Sequence, residues 1–277
     1  MVATDAPVNG TSGETSEAGG RSFSAVGVVA PVAVLLVLVL GWDLATRVLD
    51  VSSRVLPSPG LVARSTWDDR SSLWPAIETT TKEAVFGIGI AIVVAVVLAI
   101  VIDWSPRVRR GIYPLMVASQ TLPIIALAPL VVIWFGFGTT PKVVLVALFT
   151  FFSIAVGLVQ GLASVEHDTM SLLRTMGATR RQLLLHARLP SAVPQFFTGL
   201  KIAITYSYVS AIVAEFVGAQ QGLGVYMTTS KNAFRTDLVF GAVLVTAALT
   251  LLLFGLVALL ERVAMPWRRP AEVAARW

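Results

Sequence analysis

The sequence contains no cysteine and only two histidines, His167 and His186. Without cysteine, a disulfide framework, a thiolate metal site and a cysteine nucleophile are all excluded. Two histidines are too few for a three-histidine zinc site, and neither stands in an arrangement with Ser or Glu that is typical of hydrolysis. We therefore predict no catalytic residue, no metal ligand and no cofactor, and we interpret both histidines as solvated loop residues.

Charge is also scarce. Charged residues make up 13% of the chain, about half the ~25% of an ordinary soluble domain. The AVILMFWYC set makes up 56% of the 277 residues, and the mean hydropathy is +0.79. The net charge is +5, but the 17 Arg and four Lys lie mostly between apolar runs. This pattern predicts a membrane protein whose cations set its topology, and no nucleic-acid partner.

Long apolar runs are what the sequence has instead. About 20 apolar residues in a helix cross the ~30 Å hydrocarbon layer, which predicts an all-α membrane protein with six transmembrane helices. The third run is interrupted by polar residues and two prolines between 119 and 129, so it must face protein or water for part of its length. The six predicted spans are 24–44, 84–103, 112–135, 143–162, 197–217 and 239–261.

The ends of the chain differ from its middle. Residues 1–22 are rich in Gly, Ser, Thr and acid and are predicted to be a disordered tail. Residues 23–265 form the predicted transmembrane domain, and 266–277 a C-terminal tail. If the N-terminus is cytoplasmic, the inner segments hold twelve cations and the outer segments eight. The positive-inside rule therefore predicts a multi-pass membrane protein with both termini in the cytoplasm.

The predicted cytoplasmic segment between the fourth and fifth spans, residues 164–196, is longer than a helix connection needs. Apolar residues recur at helical spacing from Met170 to Met176 and stop at Gly177. A second amphipathic helix is predicted from Thr179, as its N-cap, to Arg188, where Leu189 and Pro190 stop it. The pattern alone leaves two interpretations open: a docking surface for another protein, or a helix pair that lies on anionic lipid.

The chain lacks a nucleotide-binding loop of the phosphate-cradling type. That loop needs Gly-Lys followed by Ser or Thr, and none of the four lysines follows a glycine. Any nucleotide that drives this protein must therefore bind to another subunit.

Several motifs together resemble one family. The spacing of Ser171, Leu172, Leu173, Gly177 and the closing Ala-Arg-Leu-Pro at 187–190 is similar to the Glu-Ala-Ala, Gly, Ile-x-Leu-Pro loop of the permease subunits of ATP-binding cassette importers. Further stretches resemble the nitrate, sulfonate and taurine type of these permeases: LPSP at 56–59, QTLPIIALAPLVVIWFGFGTTPK at 120–142, TGLKIAITYSYVSAIVAEFVGAQQGLG at 198–224, and LLERVAMPW at 259–267.

The resemblance implies a mechanism and its partners. Two permease copies would form the path, two cytoplasmic ATPase subunits would bind the loop as a coupling helix, and an external solute-binding protein would deliver the cargo. The chain departs from the family pattern where Ser171 replaces Glu, where both Ala positions are Leu, and where Ala187 replaces Ile. The implied docking residues are Ser171, Leu172, Leu173, Gly177, Ala178, Thr179, Arg180, Arg181 and Pro190.

Polar residues inside predicted spans are candidates for a substrate pathway. Lys201, Thr205, Tyr208 and Glu215 lie within roughly 80° of one another on a helix with 100° per residue, and Gln120 shares a face with Pro123. Lys201 and Glu215 could instead snorkel at opposite ends of the span, and the neutral groups could join helices. We predict Gln120, Thr205, Tyr208 and Glu215 as pathway residues.

The identity of the cargo is the most detailed of these predictions. The apolar and aromatic motifs resemble most the branch that imports hydroxymethylpyrimidine and related thiamine precursors, with taurine, alkanesulfonate or nitrate as the alternative. A different class, an ion-coupled secondary carrier, would need an internal repeat and ionisable residues at mid-span. The predicted spans contain neither.

Overall fold

The computed structural model describes residues 26–49 and 52–266. The predicted disordered tail, 1–22, lies outside these residues, as does the predicted C-terminal tail after Pro266. Every regular element in the described ranges is helical. The helices are α1 (Val26–Val48), α2 (Pro59–Asp68), α3 (Arg70–Trp104), α4 (Pro106–Ser119), α5 (Ile124–Phe135), α6 (Thr140–Leu162), α7 (His167–Thr175), α8 (Arg180–Leu183), a π-helical turn (Leu184–Arg188), α9 (Leu189–Gly218), α10 (Leu223–Asn232) and α11 (Thr236–Ala264).

Within the described ranges, four helices are long and apolar enough to cross a membrane, or five if a bent pair counts as one span. This confirms the all-α membrane fold, while the count of six spans is not confirmed. The helix α1 belongs to a separate compact unit that ends at Leu49. It covers most of the predicted first span, and its side chains from Val34 to Leu40 are exposed.

Residues 45–83, which separate the first two predicted spans, contain α2 and the beginning of α3. The helix α2 starts where Pro59 occupies its first turn and the Ser58 hydroxyl accepts a hydrogen bond from the amide of Leu61. Proline is suited to that position because its missing N–H would be unpaired there in any case. A second helix that the hydropathy did not predict, α10, lies between α9 and α11.

The predicted third span is also broken. The helices α4 and α5 are bent by 102° relative to each other around residues 120–123. Pro123 has no amide hydrogen to donate, and the Ser119 and Thr121 hydroxyls bond to the carbonyls of Met116 and Ala118 at 2.7 and 2.8 Å. Local side-chain bonds of this kind compete with the helix and favour its end.

The core of the bundle is the antiparallel pair α6 and α9. A Cβ on Gly157 would collide with the carbonyl of Gln195, and one on Gly199 would collide with the carbonyl of Ser153. Each glycine therefore lets the backbone of the other helix approach, as small residues do between membrane helices. The helix α3 packs against this pair through Ala91, Ala95, Ala99 and other buried apolar residues.

A buried polar cluster joins α3, α6, α9 and α10 at the end of the bundle where α6 begins. Lys142 Nζ lies 3.0 Å from Glu83 Oε1, and the two side chains are 7% and 0% exposed. The two side chains form an ion pair, and both Glu83 oxygens are fully buried. Glu215 accepts hydrogen bonds from the Thr80 hydroxyl at 2.6 Å and from the Gly224 amide at 2.5 Å.

Removing one partner of the Glu83–Lys142 pair should be costly. Breaking a buried ion pair from one side typically costs about 3–5 kcal/mol, because the remaining charge stays buried without compensation. We therefore expect Lys142→Met to lower the free energy of unfolding in detergent by about that amount. The double variant Glu83→Gln/Lys142→Met should recover at least half of the loss.

The measurement is thermal or denaturant unfolding of the purified protein. Lys82→Met is the matched control, because Lys82 forms an exposed pair with Glu78 in the same region and should change stability by less than about 0.5 kcal/mol. Equal stability of the Lys142 and Lys82 variants would contradict the prediction.

Candidate functional site

The segment 164–196 forms a helix pair with a sharp break, as the sequence predicts. The helix α7 ends at Thr175, and Gly177 follows with φ +84°. The amides of Gly177 and Ala178 donate to the carbonyls of Arg174 and Leu173, both at 3.0 Å. This is a Schellman motif, whose left-handed residue is usually glycine. We call the segment 164–196 the docking loop.

The second helix of the docking loop begins at the predicted N-cap. The Thr179 hydroxyl accepts a hydrogen bond from the Gln182 amide, and the Gln182 side chain accepts one from the Thr179 amide at 2.8 Å. This reciprocal capping box fixes the start of a helix that has only four residues. The tip of the loop is therefore defined by local hydrogen bonds on both sides of Gly177.

The docking loop has a buried base and an exposed tip. Met170 of α7 and Leu183 of α8 are each 6% exposed. Leu172 and Met176 are 61% and 75% exposed. Three arginines near them, Arg174, Arg180 and Arg181, are also exposed, whereas Ser171, Leu173 and Ala178 are half-buried.

The predicted stop at Leu189 and Pro190 is wrong. The chain continues from α8 through the π turn into α9 as one helix of 39 residues, Arg180–Gly218. In the π turn the Leu189 amide donates to the Leu184 carbonyl, five residues back. The wider turn admits Pro190, which lacks an amide hydrogen and would otherwise interrupt the helix. Pro190 itself is exposed.

The four candidate pathway residues lie in different surroundings. Gln120 is exposed at the α4–α5 bend, and Thr205 is exposed on α9 with its hydroxyl bonded to the Lys201 carbonyl. Tyr208 and Glu215 are each 2% exposed. The Tyr208 hydroxyl lies 3.4 Å from the Thr81 hydroxyl, and Glu215 belongs to the polar cluster. The polar stripe on α9 thus passes from an exposed face to the packed interior.

Glu83 and Lys142, the ion pair of the polar cluster, were not among the predicted site residues. Glu83 and Lys142 lie inside α3 and α6, whereas the predicted spans began one residue after each of them. Lys201 forms an ion pair with Glu261 of α11, so it does not simply snorkel. One sequence signal indicates both residues of the pair: Glu83 and Lys142 each stand immediately before a long apolar run.

The residues that could bind a metal are dispersed. Among the described residues, no group of three or more His, Asp or Glu side chains could hold a metal ion. His186 is exposed, and its Nδ1 lies 3.2 Å from the Gln182 carbonyl of its own helix. Both histidines are exposed, but the prediction of loop residues is wrong, because His167 begins α7 and His186 lies in the π turn.

Comparison with known proteins supports the resemblance. A family model described as the inner membrane component of binding-protein-dependent transport systems matches residues 87–264. A formylaminopyrimidine transport permease protein, ThiX, of Halalkalibacterium halodurans is 36% identical over 250 residues, covering 90% of this chain and 98% of the relative.

Other relatives carry different names. A riboflavin transport system permease protein, RibX, of Chloroflexus aurantiacus is 33% identical over 86% of this chain and 89% of its own length. A taurine transport system permease protein, TauC, of Escherichia coli is 30% identical over 84% of this chain and 86% of its own length.

Solved structures agree on the fold. A chain of the MetNI methionine ABC transporter in an inward-facing conformation aligns with a TM-score of 0.57 at 20% identity, covering 75% of this chain and 97% of that one. Since both the family match and the 36% relative extend over most of the protein, the chain belongs to the family of inner membrane components of binding-protein-dependent transport systems, as a permease subunit and not an enzyme.

Proposed function

We propose that this permease works as a pair of copies, couples through the docking loop to a separate cytoplasmic ATP-binding cassette ATPase, and imports a hydroxymethylpyrimidine-type thiamine precursor received from an external solute-binding protein. The observation that carries the proposal is the exposed tip of the docking loop on a buried base. It presents Leu172 and Met176 beside three arginines. Such a tip suits a groove on a protein partner.

The shape of the loop favours docking over a position flat on lipid. A helix on a lipid surface turns its whole apolar face in one direction. In the docking loop, Met170 and Leu183 are buried, while Leu172 and Met176 are exposed close to Gly177 in the sequence. The exposed apolar surface of the tip is thus small and confined to residues close to Gly177. The absence of a Gly-Lys-Ser/Thr loop in the sequence fits the same division of labour.

The proposed orientation places the docking loop and both termini in the cytoplasm. Arg107, Arg109 and Arg110 follow the end of α3, and Arg174, Arg180 and Arg181 lie in the docking loop. Cations collect on the cytoplasmic side of inner membrane proteins. The Glu83–Lys142 pair then lies toward the external side, at the opposite end of α6.

The proposed docking residues are those that the family pattern implies: Ser171, Leu172, Leu173, Gly177, Ala178, Thr179, Arg180, Arg181 and Pro190. Gly177 holds the turn between the two helices, and Thr179 caps the second helix. Leu172, Arg180 and Arg181 supply exposed contact surface.

The proposed pathway uses the exposed polar groups first. Gln120 at the α4–α5 bend and Thr205 on α9 are exposed in this conformation. Tyr208 and Glu215 are packed against α3 here. Their part in the pathway stays a prediction, which requires α3 and α9 to separate during transport.

The proposed cargo rests on relatives. The relative with 36% identity is named for formylaminopyrimidine transport, and such a compound is of the pyrimidine class that the sequence motifs favour. Taurine or an alkanesulfonate is the alternative, because relatives named for these solutes share 30% identity with the chain.

The turn at Gly177 should tolerate only residues that adopt a positive φ. We expect Gly177→Val to reduce ATP-driven uptake at least tenfold, because a β-branched residue at φ +84° is strained by about 1–3 kcal/mol and the tip should refold. Gly177→Asn is the matched variant, since Asn adopts this conformation more easily, and should keep most of the uptake. Equal activity of the Val and Asn variants would remove the turn from the mechanism.

Replacing pathway groups should lower uptake without affecting assembly. Loss of one hydrogen bond to the cargo costs ~1 kcal/mol, which is about fivefold in uptake. We expect Gln120→Leu, Tyr208→Leu and Thr205→Val each to show a loss of this size. Thr198→Val is the control, because Thr198 is also exposed on α9 and also bonds to its own helix. Wild-type uptake kinetics in all three variants would contradict the pathway role and leave these residues with a role in helix packing.

The cargo is tested through the external partner. Calorimetry of the cognate solute-binding protein should detect binding of hydroxymethylpyrimidine or formylaminopyrimidine and no binding of taurine. Uptake by vesicles that contain the whole system should follow the same order. Retention of taurine and of no pyrimidine would reverse the order of the two proposals for the cargo and leave the coupling mechanism intact.

A further inference from the structure

The docking loop is tied to a helix that it does not adjoin in sequence. Arg188 Nη1 lies 2.5 Å from Asp103 Oδ1, in the last turn of α3, 85 positions earlier in the chain. The two side chains are 26% and 22% exposed. A half-buried pair of this kind is screened less by solvent than a surface pair. We propose that Arg188 is a positioning residue that transmits movement of the docking loop to α3 and α4 through Asp103. This rests on the proposed function, because it requires an ATPase bound to the loop.

The connection is stiff on the side of the docking loop. The helix α8, the π turn and α9 form one continuous helix, and Arg188 is the last residue of the π turn. A displacement of α8 therefore carries Arg188 with it. The other end of the loop differs, since residues 163–166 between α6 and α7 are not helical. Movement of the tip should reach the bundle mainly through the α8–α9 side.

Asp103 stands where that movement can be passed on. It lies just before Ser105, at which α3 gives way to α4. Asp103 and Arg109 of α4 line one small cavity together with Ala163, next to the end of α6. The helix α4 leads from this corner to the bend that carries Gln120. The Arg188–Asp103 pair thus connects the docking loop with the segment that holds a proposed pathway residue.

The apolar contacts at this corner cannot replace the pair. Ile102 and Leu162 are buried there with Ala192, but hydrophobic contact is non-directional and lets helices slide. Arg109 is a second cation near Asp103. Among the ion pairs of the described residues, however, Asp103 pairs with Arg188. The Arg188–Asp103 ion pair fixes the position of the π turn relative to the end of α3.

A double-variant cycle on the assembled transporter tests the proposal. Uptake and ATP hydrolysis are measured in vesicles for Arg188→Ala, Asp103→Ala and the double variant. We expect each single variant to keep ATP hydrolysis while uptake per ATP falls about tenfold, within the usual ~5- to 150-fold range of coupling between sites. The double variant should lose no more than the singles, because both act through one contact. Arg188→Lys, which keeps the charge, should remain within about threefold of wild type.

The control is Arg47→Ala, since Arg47 pairs with Asp43 inside a single helix, α1. Unchanged uptake per ATP in the single variants would overturn the role of Arg188, and so would losses that multiply in the double variant. If Arg188→Ala does not assemble, Arg188→Gln is compared with Arg188→Lys, and equal uptake per ATP in these two would overturn it as well.

The same preparation separates this proposal from the proposed function. Because the chain has no native cysteine, Thr175→Cys places a single thiol next to the tip, at an exposed residue outside the proposed docking set, for cross-linking to the ATPase. Cross-linking with a normal uptake ratio in the Arg188 variants would overturn only the role of Arg188. No cross-link in the active wild-type background would overturn the docking function of the loop, and the role of Arg188 with it.

Discussion

The close approach of α6 and α9 is the constraint on which the rest of the molecule depends. In lipid there is little hydrophobic gain from bringing two apolar helices together, so association relies on packing and on small residues. Gly157 and Gly199 each meet a backbone carbonyl of the opposite helix. The docking loop begins just after α6 and ends within the first turns of α9. Its base is therefore set by the best packed contact in the bundle.

Three ion pairs of the described residues join different helical elements and hold them in a defined relative position. Glu83 and Lys142 join α3 to α6, Arg188 and Asp103 join the π turn to α3, and Lys201 and Glu261 join α9 to α11. Charged groups inside or near the hydrocarbon layer are expensive and persist when they are paired. Directional contacts of this kind complement apolar surfaces that would pack almost equally well in a shifted register.

The sequence predicts the features that depend on local signals, and it does not predict those that depend on long-range contacts. The spans predicted at 143–162 and 239–261 agree with Thr140–Leu162 and Thr236–Ala264 within a few residues, because hydropathy dominates there. The turn at Gly177 and the cap at Thr179 were also predictable, since their hydrogen bonds lie within a few residues. The helix α2, the beginning of α3 and α10 were not, because their polar sequences are held by distant partners. Thr80, for example, bonds to Glu215, 135 positions away.

The π turn at Leu184–Arg188 sets how α8 is rotated relative to α9 about the axis of their continuous helix. An α-helix turns by about 100° per residue, and a π turn accommodates one residue more than the regular repeat. The exposed face of α8 is therefore rotated by about 100° from where an uninterrupted α9 would place it. One inserted or deleted residue in this turn would turn Arg180 and Arg181 to another side while leaving every span intact. The length of this short stretch thus selects which side of the tip a partner meets.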